Sequence, residues 1–232
     1  MTAQDFFELE YLRLNAYRLL ADGYHRPEQS LLDSLEKLAV CMERVCSDAG
    51  QYIEGMLAGI AGMEGVKTLE VDHARLFVGP FNLLAPPYGS VYLEGERQVM
   101  GASTADVKMR YQAVGLDVDT GFKDAPDHVA AELEFMHVLI FKALEAAGKG
   151  DARHIVASLT NQQAFLEIHL GAWIHEFAGK VIDNAATSFY RNLARATETF
   201  IKDDYHILTS SLNSWSSNPE KSAEIESSCG QC

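Results

Sequence analysis

Three groups of side chains in this sequence have the types and spacing to do chemistry. The first is Pro126, Asp127 and His128 at the mouth of an apolar stretch, with Glu132 four residues beyond His128. An aspartate beside a histidine suits a proton-transfer dyad, a metal site or a receptor for a basic group. Between Asp124 and Phe141 stand four acids, Asp124, Asp127, Glu132 and Glu134, and no lysine or arginine. His128 and Glu132 share one face of a helix. Carboxylates beside an apolar loop suit a guanidinium, which they bind through two parallel hydrogen bonds. The plainer reading has Asp127 satisfying the free N–H groups of the helix start and His128 packing or capping there.

The second group is metal-like. Glu70 and His73, and Glu134 and His137, are two Glu-x-x-His pairs on different predicted helices. Di-metal carboxylate bundles use two such pairs plus one glutamate from each of two other helices, for which Glu10 and Glu167 are candidates. The pattern is short and arises readily in an acidic helical chain, so this is the alternative reading. Glu134 and His137 fall in a stripe with Asp127 and Glu145 that reads as solvated. The third group is Cys229 and Cys232 in "CGQC", whose spacing fits half a zinc site, yet zinc normally takes a second pair. Cys41 and Cys46 are five apart and point to different faces of a helix. His169 and Trp173, four apart, read as a core aromatic with a satisfied histidine. No G-x-S-x-G elbow and no phosphate-cradling glycine loop is present, so neither nucleophilic catalysis nor a bound cofactor is expected.

Helices must position these groups. Phe6, Leu9, Leu12, Ala16, Leu19, Leu20 and Tyr24 recur in steps of three and four and mark one helical face. Further helices are expected over 28–45, 49–63 and 66–78. The segment 79–103 then holds three prolines and four glycines among Phe81, Leu83, Leu84, Tyr88, Val91 and Tyr92. It reads as a long Pro/Gly-rich central loop, packed or functional, with 90–93 extended. Helix resumes at Thr104, capped by Ser103, and stops at Gly115. A second loop leads to Pro126, expected at the first position of a helix running to 147. That helix is apolar on two stripes, as central helices are. Others cover 152–170, 172–184 and 186–208. The fold class is all-α: one globular domain of eight to ten helices over 1–212, followed by a Ser-rich tail, 213–232, expected to be disordered.

With 33 acids against 19 bases in 232 residues, the formal net charge is −14. This excludes the basic footprint of a nucleic-acid binder and favours basic partners. The start "MTAQDFFELEYL" carries acids where an export signal carries lysine or arginine, so a cytoplasmic protein is expected. Apolar runs such as "VLIF" are too short to span a bilayer.

Taken together, "DHARLFVGP" (72–80), "APPYGSVYL" (85–93), "MGAST" (100–104), "PDHVAAELEFM" (126–136) and "FLEIHLGAW" (165–173) resemble the TorD/DmsD/NarJ-type family of molybdoenzyme chaperones. They fall in family order over about 6–208. The resemblance implies an all-helical fold and no catalysis. Its implied partner is the apoprotein of a molybdenum-cofactor oxidoreductase, bound at its twin-arginine signal peptide or a nearby segment while cofactor is inserted. The peptide-binding residues it implies are Leu76, Phe77, Pro87, Tyr88, Gly101, Pro126, Asp127 and His128, to which the local charge adds Glu132. The acidic helix start is expected to take the arginines, and Leu76, Phe77 and the Pro87–Tyr88 loop the apolar part. A monomer and a domain-swapped dimer are both compatible with a long loop between helical halves. "CGQC" lies outside the family pattern.

Overall fold

Thr2 and Asp5 close a reciprocal capping box that starts the first helix: the Asp5 N–H donates to Thr2 Oγ1 (3.1 Å) and the Thr2 N–H to Asp5 Oδ2 (2.9 Å). The computed structural model describes residues 2–61, 65–79, 83–94, 100–116 and 125–216. Among these, the helices are α1 Ala3–Tyr24, α2 Leu31–Val45, α3 Ser47–Ala61, α4 Val66–His73, α5 Ser90–Leu93, α6 Ala102–Ala113, α7 Val129–Gly148, α8 Ala152–Ile168, α9 Leu170–Asn184 and α10 Ser188–Ser216. A π turn, Ala74–Val78, runs on from α4 where one continuous helix was expected. The described residues form no sheet, only an isolated antiparallel bridge between Tyr88 and His128. Residues 90–93, expected to be extended, are the short helix α5.

Two helices organise the core. The apolar α7 packs against α1 and α8, and α10 packs against α3, α8 and α9. The buried face of α1 is Phe6, Glu10, Arg13, Ala16, Tyr17, Leu20 and Tyr24, so it includes a charged pair, while Leu9 and Leu12 are only partly covered. Arg13 donates Nη1 to Glu10 (2.6 Å), Nε and Nη2 to Asp204 (2.5 and 2.9 Å), and Nη2 to Gln162 (2.9 Å). Tyr17 Oη also donates to Asp204, at 2.7 Å. Burial works against the charge of Arg13, but Asp204 and Glu10 hold it protonated. This cluster ties α1 to α8 and α10. Removing one partner of such a buried pair leaves an uncompensated charge.

The last helix passes the boundary expected at Asn213. It continues to Ser216 and buries Trp215 edge-on against Phe6, with ring centres 5.1 Å apart. Cys229 and Cys232 lie outside the described residues, while Cys41 and Cys46 are buried free thiols. Among the described residues, no helix is long and apolar enough to cross a membrane.

Candidate functional site

Helix α7 begins three residues later than the proline suggested. Pro126 and Asp127 form a turn, closed by the His128 N–H donating to Ala125 O (3.0 Å), and His128 is the N-cap. Its Nδ1 accepts the Ala130 N–H at 3.2 Å, so the histidine caps the helix, one of the two roles expected of it, and Asp127 does not. Asp127 instead reaches across the chain. Its Oδ2 accepts the Ser90 N–H (2.8 Å) and its main-chain carbonyl the Gly89 N–H (2.9 Å). The Val129 N–H donates to Pro87 O (2.8 Å), and the Tyr88 and His128 rings meet edge to face, centres 5.4 Å apart. Segment 87–90 therefore lies bonded over the start of α7.

Glu132, one turn on, is fully buried and accepts a hydrogen bond from Trp173 Nε1 at 3.0 Å. Burial drives its carboxyl well above the usual range; the Trp173 bond opposes this and the neighbouring Asp127 charge adds to it. Trp173 stacks on Tyr92, ring centres 5.4 Å apart, and Tyr92 Oη donates to Pro86 O (2.8 Å). A Cβ on Gly89 would sit 2.9 Å from Trp173 Nε1 and 3.3 Å from Glu132 Oε1. Only glycine lets the backbone come this close.

The remaining candidates converge on the same segment. Leu76 O accepts the Ala85 N–H (3.1 Å), and Phe77 packs among Tyr24, His73, Phe177 and Tyr190. The π turn buries these adjacent residues together, a geometry that π turns often lend to functional sites. Glu94 Oε1 accepts both the N–H and the hydroxyl of Ser103 (2.7 and 2.5 Å). It thus caps α6 from outside, the task expected of Ser103, and a Cβ on Gly101 would collide with its carboxylate at 1.9 Å. Of the nine predicted residues, Pro87 and Tyr88 lie in 85–94, and Leu76, Gly101, Asp127, His128 and Glu132 border it. Pro126 O accepts from Tyr111 Oη, and the set does not form an open receptor. Asp127 is 1% exposed, Glu132 and Leu76 0%, Phe77 5% and His128 8%. The segment that was expected to line a groove covers it.

Ser90 Oγ, Asp127 Oδ1 and Glu132 Oε1 are buried without a hydrogen-bond partner among the described residues. His169, also buried, places Nε2 2.6 Å from Asp106 Oδ2 and leaves Nδ1 unpartnered. Burial lowers its pKa, against the pull of Asp106. On the surface, Val78, Leu84, Leu93 and Met100, close in sequence to the covering segment, are exposed.

The family model described as "Nitrate reductase delta subunit" matches residues 43–179, more than half of the chain. The chain belongs to this family. Curated relatives are named chaperones: "Chaperone protein TorD" of Shewanella loihica is 27% identical over 84% of this chain and 92% of its own. "Tat proofreading chaperone DmsD" of Salmonella typhimurium is 31% identical over 60% of this chain and 63% of its own. The "Perchlorate reductase assembly chaperone protein" of Dechloromonas aromatica is 26% identical over 87% and 92%. A crystal structure of a putative redox enzyme maturation protein from Archaeoglobus fulgidus has the same fold, with a TM-score of 0.52 at 20% identity. The match covers 82% of this chain and 93% of that one.

The delta-subunit-family fold uses the metal-like residues otherwise. Glu70 pairs with Arg26 (3.0 Å), His73 Nε2 lies 3.2 Å from Tyr24 O, Glu134 pairs with His25 (2.9 Å), and His137 Nδ1 lies 2.9 Å from Leu14 O. Glu10 holds Arg13, and Glu167 accepts from Tyr205 Oη (2.5 Å). Among the described residues, no three His, Cys, Asp or Glu are grouped as metal ligands would be. The stripe that read as solvated is not one face of water-exposed acids, because Asp127 is buried. Sequence reading missed Gly89, Ser90 and Trp173 as partners of the two acids. The signal was there only in the motifs "YGS" and "GAW", not in any spacing.

Proposed function

We propose that this chain is a non-enzymatic, system-specific maturation chaperone for a molybdenum-cofactor oxidoreductase. It binds the twin-arginine leader or a nearby segment of that enzyme in the cytoplasm, before export, while cofactor is inserted. One observation carries the reading: two buried carboxylates with unpartnered oxygens lie under a proline- and aromatic-rich segment, in a chain whose relatives are named maturation chaperones. Asp127 takes a leader arginine, and His128, as the N-cap, fixes the start of α7. Leu76 and Phe77 set the covering segment from below, and exposed Val78, Leu84, Leu93 and Met100 meet the apolar part of the leader. A preformed wall such as Pro87–Tyr88 reduces the ordering cost of binding.

The test is calorimetric titration with a panel of synthetic leaders, from trimethylamine-oxide, dimethyl-sulfoxide, nitrate and perchlorate reductases and a formate dehydrogenase. Wild type should bind at least one. Asp127→Asn keeps the shape and removes the charge, so affinity should fall about ten- to a hundredfold, the worth of a hydrogen bond to a charged group. Melting is measured alongside, because Asp127 also holds Ser90. Equal affinity in a normally folded variant would reduce Asp127 to an internal support.

A further inference from the structure

The two acids differ from ordinary buried carboxylates in how they are left. Each spends one oxygen inside the protein, Asp127 on the Ser90 N–H and Glu132 on Trp173, and each keeps a buried oxygen with no partner there. Buried polar atoms are nearly always satisfied, and leaving one unpaired is costly. Burial favours the neutral form of Glu132 in the free protein. An arriving cation would release that proton to solvent, leaving two acceptors and the hydroxyl of Ser90 for a ligand rich in donors. Guanidinium offers five N–H groups in a rigid plane and no acceptor. An ammonium offers fewer, and points them differently. Above these atoms lies 87–90, held by the Gly89, Ser90 and Val129 amides together with the edge-to-face contact of Tyr88 on His128.

We propose that Asp127 and Glu132 form a two-carboxylate seat for one guanidinium of the bound peptide, and that segment 87–90 is an internal occupant that must lift to admit it. This deepens, and rests on, the leader-binding reading. Lifting frees Asp127 Oδ2 from Ser90, so the arginine meets both oxygens of Asp127 and the free oxygen of Glu132. It also exposes the Asp127 carbonyl and the Val129 N–H, to which the peptide backbone can bond in place of Gly89 and Pro87. The free protein thus holds its own loop where its client will go, and binding is an exchange.

Two measurements on the full chain test this with a leader that wild type binds. Hydrogen exchange resolved to single amides should show Gly89 and Ser90, the donors on the lifting segment, losing protection at least about tenfold when leader is saturating. Affinities for that leader and its twin-lysine version should show wild type preferring arginine and Glu132→Gln losing most of the preference. The arginine affinity should fall about ten- to a hundredfold, as for one charged hydrogen bond. Structural damage would weaken both peptides alike. Should Glu132→Gln fail to fold, the exchange measurement on wild type decides alone. Amides that stay as protected, or a variant that discriminates as wild type does, overturn the proposal and leave leader binding intact. If no leader binds wild type, the functional reading itself falls.

Discussion

Asp72 shows how a family motif can serve the scaffold. It is 2% exposed, and its carboxylate accepts from the Thr187 N–H and hydroxyl (both 2.8 Å), the Ala186 N–H (3.2 Å) and Arg75 (2.8 Å). It therefore seals the approach to α10 from α4. Burial alone would raise its pKa, but the Arg75 and Thr187 bonds outweigh it and hold the carboxyl below the ordinary range. A depressed folded pKa gives stability that is present above the unfolded value and lost as pH falls through the folded one. Asp72→Asn turns a donor toward Thr187 and should cost about 2 kcal/mol at neutral pH, or roughly 4–8 °C of melting temperature. The gap from wild type should begin to close as pH falls below about 4, the unfolded value, and vanish only below the depressed folded value, where Asp72 itself protonates. Melting both proteins from neutral to acid checks it; a gap constant with pH would mean that shape, not charge, is what the site requires.

At the scale of elements, α10 makes the sharpest demand. Trp215 closes the core against Phe6, so Trp215→Ala should cost about 3–5 kcal/mol, the usual loss for a buried large aromatic. Comparing a chain ended at Leu212 with one ended at Ser216 isolates the same contact. The first should melt lower by a similar energy, and equal melting would show that the turn around Trp215 adds nothing. Helix number and the central place of α7 were readable because an apolar stripe repeats every three to four residues along its own helix. The end of α10 was not, since one tryptophan among serines and asparagines leaves too little periodicity. On α1, Arg13 reads as solvent-facing until Asp204, 191 residues away, is seen to neutralise it. The site was legible as a set of residues, through the five motifs, but not as a closed one. Nothing local in "PDHVAAE" says that Ser90 and Trp173 lie on those acids. Likewise Glu94 caps α6 because the chain returns there, which spacing within either helix does not record.

For the molecule as a whole, the charge of −14 acts at longer range than any contact. If the chain binds a basic leader as proposed, this charge steers it in, so association should slow about tenfold as salt rises from about 0.05 M to about 0.5 M, while dissociation changes less. Stopped-flow binding of a leader to wild type separates the two rates; an association rate indifferent to salt would show that the field has no part in capture. The Arg13 cluster has a different consequence, one of timing. Its residues leave the ribosome far apart, Glu10 and Arg13 early, Gln162 much later and Asp204 later still. Until residue 204 emerges, α1 offers a cation and an acid to a core that cannot yet answer them. A domain generally folds as a unit rather than piece by piece. Here the buried charges of the first helix find their last partner only when most of the chain has been made, so this part of the core closes late in synthesis.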